Sequence, residues 1–231
     1  MKATGKKLKV GIIRFPASNC DFDTLNFFQR FGHHAEFVWY KETKPLRYNL
    51  IVLPGGFAFG DRLYAKATRT YQIDPGALAL RSPILRPIRR AAKEGVPILG
   101  ICNGFQILVK AGLLPGKLLQ NKAKKFFCDN VKCKLVGNSF FEDKTILGKT
   151  LTVPVAHGYG RYSVSKREEK TLVQNKQVFL KYAGPNPNGS TGNIAGVHNK
   201  EKTIFGIMPH PERSPDARYF MRAIEKYVEA N

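Results

Sequence analysis

Cys102 lies in Gly100-Ile101-Cys102-Asn103-Gly104, after the apolar run Val96-Pro97-Ile98-Leu99 and before Phe105, Ile107 and Leu108. Apolar run, glycine-flanked turn and helix-compatible spacing predict a buried strand, a sharp bend carrying the cysteine, and a helix. A bend of this kind lifts its side chain clear of the sheet edge, as in a G-x-S-x-G nucleophile elbow, here with sulfur in place of oxygen. The thiol would also face the N-terminus of the next helix, where negative charge is stabilised. A cysteine after a strand, taken alone, is more often a core packing residue. Its partners decide between the two readings.

A nucleophilic cysteine needs a base and a third group to orient that base. Far downstream, the run Ile207-Met208-Pro209-His210-Pro211-Glu212-Arg213 ends an apolar strand in a histidine, with a glutamate two positions on. In an extended, proline-held segment, residues two apart point the same way, so Glu212 can orient His210 while His210 faces the thiol. Attack by sulfur on an amide carbon makes an oxyanion, which needs fixed N–H donors. Pro54-Gly55-Gly56-Phe57, at the end of another apolar run, offers the backbone N–H of Gly56. The N–H of Asn103, next to the nucleophile, is the other natural donor.

The elements that must position these residues can be read from the pattern along the chain. Strands are expected at 9–15, 35–40, 48–53 and 96–101, with a helix at 21–31 that carries Asp21 and Asp23 in its first turn and stops at Gly32. A basic amphipathic helix is expected from Ser82-Pro83 to Glu94. Such alternation predicts a largely parallel sheet with helices on both faces. From about residue 124 onward the pattern changes to short β-like runs at 125–135, 151–156, 177–182, 193–198 and 203–208, read as antiparallel or mixed strands extending the sheet. A helix at 216–230 follows, with Phe220, Ile224 and Val228 at four-residue steps. No linker divides the chain, so residues 1–231 read as one domain.

The chain has 231 residues, 43% of them hydrophobic and 24% charged, enough for a large buried core. It contains no apolar run of the roughly 20 residues that a membrane span needs. The first residues do not read as a signal peptide, and cytoplasm is the expected compartment. Four cysteines are too few for a disulfide scaffold. The net charge of +21 invites a nucleic-acid reading. Yet the basic residues are scattered in twos and threes, as in Lys6-Lys7 and Arg89-Arg90, with no helix-turn-helix or zinc-finger pattern. The charge is read mainly as a solvated surface, one that an acidic protein partner would match, and specific nucleic-acid binding is not expected.

Gly100-Ile101-Cys102-Asn103-Gly104-Phe105-Gln106, Pro54-Gly55-Gly56-Phe57 and Pro209-His210-Pro211-Glu212 together resemble the signatures of class I (triad) glutamine amidotransferases. Within that class the resemblance extends to the family of glutaminase subunits of phosphoribosylformylglycinamidine synthases. Further segments carry it, among them Phe15-Pro16-Ala17-Ser18-Asn19-Cys20-Asp21, Ala156-His157-Gly158 and Asn186-Pro187-Asn188-Gly189-Ser190, so that it covers almost the whole chain. It implies a flavodoxin-like core with Cys102 as nucleophile, His210 as general base and acid, and Glu212 orienting it. It also implies an oxyanion and substrate site at Gly55, Gly56, Asn103 and Gln106. Glutamine would be the substrate. Ammonia would pass to an ATP-dependent synthetase subunit, with a small accessory subunit in the complex. Neither a cofactor nor a metal is expected in this chain; ATP and Mg²⁺ belong to the synthetase.

Some residues depart from the family's pattern. Where the family usually reads Gly-Gly-Phe-Ser-Tyr-Gly-Asp, this chain has Ala58 and Phe59, followed by Arg62 and Tyr64 in exchanged places, and Tyr159 stands where a glutamate is usual. The triad is untouched, and contacts to glutamine or to the synthetase are where differences are expected. The segment from Phe57 to Thr70 is the expected movable element. Cys20 reads as packing, His157 as lining the substrate side on resemblance only, and Cys128 with Cys133 lacks a second ligand pair for zinc. Two rival readings stay open: a related cysteine hydrolase or amidotransferase of another pathway, and a non-catalytic basic binding protein.

Overall fold

The computed structural model describes residues 7–58, 78–136 and 147–230. In the N-terminal half, β1 (Lys9–Arg14), β2 (His34–Trp39), β3 (Leu50–Leu53) and β4 (Ile98–Ile101) alternate with α1 (Asp21–Arg30) and α2 (Leu85–Lys93), and α3 (Asn103–Lys110) follows β4 at once. Every residue of β3 and β4 is buried, as expected of central strands covered on both sides. Asp21 and Asp23 occupy the first turn of α1 and Arg30 its last, which suits the helix dipole at both ends.

The C-terminal half supplies β5 (Lys117–Leu119), β6 (Phe127–Leu135), β7 (Thr150–His157), β8 (Arg161–Ser163), α4 (Lys166–Gln174), β9 (Val178–Tyr182), β10 (Ile194–His198), β11 (Ile204–Ile207) and α5 (Ala217–Ala230). Nine strands form one sheet in the order β2-β1-β3-β4-β11-β10-β9-β6-β7, while β5 and β8 pair separately. The first five run parallel, the 2-1-3-4 start of a flavodoxin-like sheet with β11 inserted as its fifth strand. From β11 outward every pairing is antiparallel. The sheet curls: β7, last in the order, returns to the segment after β11, where His210 N–H donates to the Pro154 carbonyl at 2.8 Å and the Ser214 hydroxyl to the Thr152 carbonyl at 2.6 Å.

The expected elements are present with ends shifted by a few residues; α2, for example, begins at Leu85 rather than at Ser82. In α5 the buried residue after Ile224 is Tyr227, and Val228 is only partly covered. A stripe that follows 3.6 residues per turn drifts away from strict four-residue steps. The Tyr227 ring meets Phe205 of β11 edge-on at 5.0 Å, which seats the last helix on the sheet. Strands β5 and β8 and helix α4 were not among the expected elements. A signal for α4 was available: Ser165 and Glu168 form a capping box, with the Ser165 hydroxyl accepting from Glu168 N–H at 3.2 Å and Glu168 Oε2 accepting from Ser165 N–H at 2.7 Å.

Candidate active site

Cys102 closes β4 and opens α3. Its N–H donates to the Ile207 carbonyl at 2.8 Å, the last rung between β4 and β11, and its carbonyl accepts the first helical bond from Gln106 N–H at 3.1 Å. Between those two commitments the backbone must reverse within one residue, at φ 49° and ψ −101°. A non-glycine residue in such a conformation costs on the order of 1–3 kcal/mol and persists only where its surroundings impose it. Here they do. A Cβ on Gly104 would lie 2.0 Å from the Leu53 carbonyl oxygen, and one on Gly100 would lie 2.7 Å from the Gly104 carbonyl carbon, so α3 is pressed against the ends of β3 and β4. The two glycines flanking the cysteine permit that approach, and the turn follows from it.

His210 stands just past β11, the strand beside β4. Its Nδ1 bonds Glu212 Oε1 at 2.6 Å, with both side chains almost completely buried. With Nδ1 committed to Glu212, Nε2 remains for a reacting group. The side chains of Cys102 and Cys20 both favour the charged form of the ring. Burial alone would push the imidazolium toward its neutral form. The Glu212 carboxylate and the Cys102 and Cys20 side chains outweigh that, and the His210 pKa lies well above the ordinary histidine value. The same ring sets the residue at 55, because a Cβ there would lie 2.5 Å from His210 Cε1 and 3.2 Å from Nδ1.

The strand-end loop after β3 is held against the helix that follows the cysteine. Ala58 N–H donates to Asn103 Oδ1 at 3.0 Å, and Phe57 N–H donates to the Ala17 carbonyl at 2.8 Å. Gly56 sits at φ 139° where a Cβ would lie 2.5 Å from Asn19 N, so the segment 17–19 can close over this loop only if residue 56 is glycine. Asn103 Nδ2 donates to Gln106 Oε1 at 2.8 Å, and Gln106 Nε2 donates to the Tyr159 carbonyl at 2.9 Å. The Gln106 amide is therefore engaged by the protein at both ends, where the resemblance had it holding substrate. It bridges Asn103 to the segment after β7.

Strand β7 roofs the site. Cys102 Sγ lies 3.9 Å from the Ala156 carbonyl, two residues along from the Pro154 carbonyl that receives His210 N–H. Next in line, His157 is buried and its Nδ1 bonds Asn121 Oδ1 at 3.2 Å; that oxygen also accepts from Gly160 N–H, while Asn121 Nδ2 donates to the His157 carbonyl at 2.8 Å. Burial, reinforced by the charge of His210, pushes the His157 pKa down to about 4. It is a neutral ring beside a charged one. Asn121 was not singled out from the sequence, which carries no motif around it. The Asn186–Ser190 segment shapes the same wall, through Asn188 Nδ2 to the Gly160 carbonyl at 2.8 Å and Tyr162 N–H to Ser190 Oγ at 3.0 Å.

Cys20, expected only to pack, instead lies beside the His210–Glu212 pair. Its sulfur, a His210 nitrogen and a Glu212 oxygen are all within 4.8 Å of one another. Cys128 and Cys133, five residues apart on β6, fall on opposite faces, one exposed and the other buried. Phe59, Arg62, Tyr64 and most of the segment from Phe57 to Thr70 lie outside the described residues.

The family described as CobB/CobQ-like glutamine amidotransferase domain matches residues 7–226. The phosphoribosylformylglycinamidine synthase subunit PurQ of Wolinella succinogenes is 44% identical over 209 residues, covering 90% of this chain and 91% of that protein. Its counterpart from Aquifex aeolicus is 42% identical over 219 residues, covering 90% and 92%. Among solved structures, a chain of PurLQS from Thermotoga maritima superposes with a TM-score of 0.82 at 36% identity, covering 96% of this chain and all of that one. A glutamine amidotransferase of Thermotoga maritima, 20% identical with a TM-score of 0.56 and covering 97% of this chain and 84% of that one, shares the fold.

Proposed function

The chain belongs to the CobB/CobQ-like glutamine amidotransferase family, and from that premise we propose that it is the glutaminase subunit of a phosphoribosylformylglycinamidine synthase in purine biosynthesis. The observation that carries the chemical part is the buried 2.6 Å pair of His210 and Glu212, just past the strand next to the one that delivers Cys102.

In this reading the proton of the Cys102 thiol already rests on His210 Nε2, and the Cys102 thiolate attacks the side-chain amide carbon of glutamine. The N–H groups of Gly56 and Asn103 donate to the oxyanion, each such donor being worth roughly 3–4 kcal/mol of barrier where one has been removed from an enzyme. Collapse of the tetrahedral intermediate breaks the C–N bond, and His210 returns the proton to the departing ammonia. A glutamyl thioester on Cys102 remains. Water, deprotonated by His210, attacks it and releases glutamate and the free thiol. Glu212 keeps the ring in the tautomer that each step needs.

Gln106 and Gly55 act by placing other groups, Gln106 by tying Asn103 to the segment after β7 and Gly55 by leaving room for the His210 ring. Ammonia passes to a synthetase subunit that holds ATP and Mg²⁺, and a small accessory subunit completes the complex; the PurLQS likeness supports this arrangement. No helix among the described residues is long and apolar enough to cross a membrane. The reading places the enzyme in the cytoplasm, with the rest of its complex. Reconstitution with the synthetase tests it. Glutamine and ammonia should both support amidine formation, and the glutamine route alone should need Cys102.

A further inference from the structure

Beneath the catalytic ring lies a donor set that the proposed reaction does not use as a whole. Cys20 Sγ, a His210 ring nitrogen and a Glu212 carboxylate oxygen lie within 4.8 Å of one another, all on buried side chains, and form the one such cluster among the described residues. Independently of that cluster, Glu212 has an orphan. Its Oε1 is taken by His210, but Oε2 is buried with no hydrogen-bond partner among the described residues. A buried carboxylate oxygen left so carries a cost of about 1–3 kcal/mol, more for a charged group, and a ligand that met it would recover that cost.

The three donors come from separate parts of the fold that are already fixed. Cys20 is held at the start of α1, where its N–H donates to the Gly55 carbonyl at 3.2 Å and Thr24 Oγ1 donates to its carbonyl at 2.8 Å. Pro211 and Glu212 begin the short turn after β11, and Arg30 of α1 reaches the Glu212 carbonyl.

One thiolate, one imidazole and one carboxylate make a set that favours borderline-soft cations over hard ones, and three protein ligands leave a fourth tetrahedral position for water. Metal–sulfur and metal–nitrogen distances of about 2.3 and 2.0 Å require donor atoms roughly 3.3–3.8 Å apart, so the Cys20 sulfur must draw in from at most 4.8 Å while the His210–Glu212 pair opens from 2.6 Å. We propose that Cys20, His210 and Glu212 bind a thiophilic divalent cation of the Zn²⁺ or Co²⁺ class, and that its binding stops glutamine hydrolysis by taking the place of the proton between His210 and Glu212. Two protons leave on binding at most: one from the Cys20 thiol and one from His210 Nδ1, while Nε2 keeps its own. No electron is transferred. Mg²⁺, which demands an oxygen octahedron, is excluded by the same donor set, so a Mg²⁺-rich partner would not trigger it. The inhibitory part rests on the glutaminase reading; the binding part does not.

The test is a Co²⁺ titration of the full reduced chain in excess Mg²⁺, followed by the thiolate-to-cobalt charge-transfer band and the tetrahedral d–d bands. Wild-type protein should take up one equivalent with both signatures. Cys20→Ser should lose the charge-transfer band and bind at least tenfold more weakly, Glu212→Gln, with all its thiols, should also weaken at least tenfold, and Cys128→Ser should match wild type. A band of equal affinity in Cys20→Ser, or no stoichiometric binding by wild type, overturns the site. In the reconstituted complex, Zn²⁺ should suppress amidine formation from glutamine and spare that from ammonia. Bound metal that leaves the glutamine route intact overturns the inhibitory role alone.

Discussion

Ile101 of β4 stands directly opposite Ile207 of β11 in adjacent parallel strands. One residue beyond the first comes Cys102, and three beyond the second comes His210. Two side chains distant in sequence thus leave the sheet at the same edge and the same level, the carboxyl ends of parallel strands where α/β folds place their ligands. The pairing of β4 with β11 is what makes a site of these residues. β11 reaches its place only because β5 to β10 are sent outward and the sheet then curls, returning β7 over the cleft.

The His210 ring has been given its space by residue 55. Gly55→Ala places a methyl group 2.5 Å from Cε1, and the ring must yield because Gly55 is itself tied to Cys20 N–H. A displacement near 1 Å at a reacting group costs about 100-fold. We expect the glutamine-dependent rate to fall by about that factor while the ammonia-dependent rate of the assembled complex holds. An unchanged glutamine rate would show that His210 does not work from this position.

Glu212→Gln keeps the shape of the side chain and removes its charge. Loss of the orienting carboxylate in a comparable triad costs about 10⁴-fold, and a drop of 10²- to 10⁴-fold in glutamine hydrolysis is expected here. Because the carboxylate is the chief influence raising the His210 pKa, the ring's titration midpoint, followed by NMR, should also move to lower pH. A midpoint that stays in place would separate the ring from Glu212.

Much of this geometry was legible beforehand, and what was not has physical reasons. The elbow at Cys102 and the His210–Glu212 turn declared themselves because glycine and proline mark conformations that few residues tolerate. Cys20 read as packing because nothing local distinguishes it; its neighbours His210 and Glu212 come from the other end of the chain. Gln106 sits in the motif but spends its amide on Asn103 and Tyr159, a commitment visible only once the segment after β7 is in place. The roofing by Pro154 and Ala156 depends on sheet curl, which hydrophobic alternation does not encode. The helix at Lys166–Gln174, by contrast, was announced by Ser165 and Glu168 and could have been found.

His157 makes stability depend on pH in a definite direction. Its pKa falls from 6.5 to about 4 on folding, so between those values the unfolded chain binds a proton that the folded chain refuses. Its contribution is therefore neutral above 6.5 and increasingly destabilising as pH falls toward 4. At pH 5 this amounts to about 2 kcal/mol. Urea denaturation at pH 7 and pH 5 should show wild type losing about that much more than His157→Gln, which cannot titrate. Parallel losses in the two proteins would contradict a neutral buried His157.

Gly104→Ala probes the packing behind the elbow. Its Cβ would lie 2.0 Å from the Leu53 carbonyl oxygen, a backbone atom of a fully buried strand, so α3 must back away from β3. Overpacking of this kind costs about 1–3 kcal/mol, and a lowered melting temperature is expected together with weakened glutamine turnover. Wild-type stability in this variant would mean that α3 is not pressed against β3.

The most direct measurement uses Cys102→Ala in complex with the synthetase, comparing amidine formation from glutamine with that from ammonia. Glutamine-driven synthesis should vanish while ammonia-driven synthesis continues at the wild-type rate. Retention of the glutamine route, or loss of both routes from a folded and assembled complex, would contradict Cys102 as the nucleophile that supplies the ammonia.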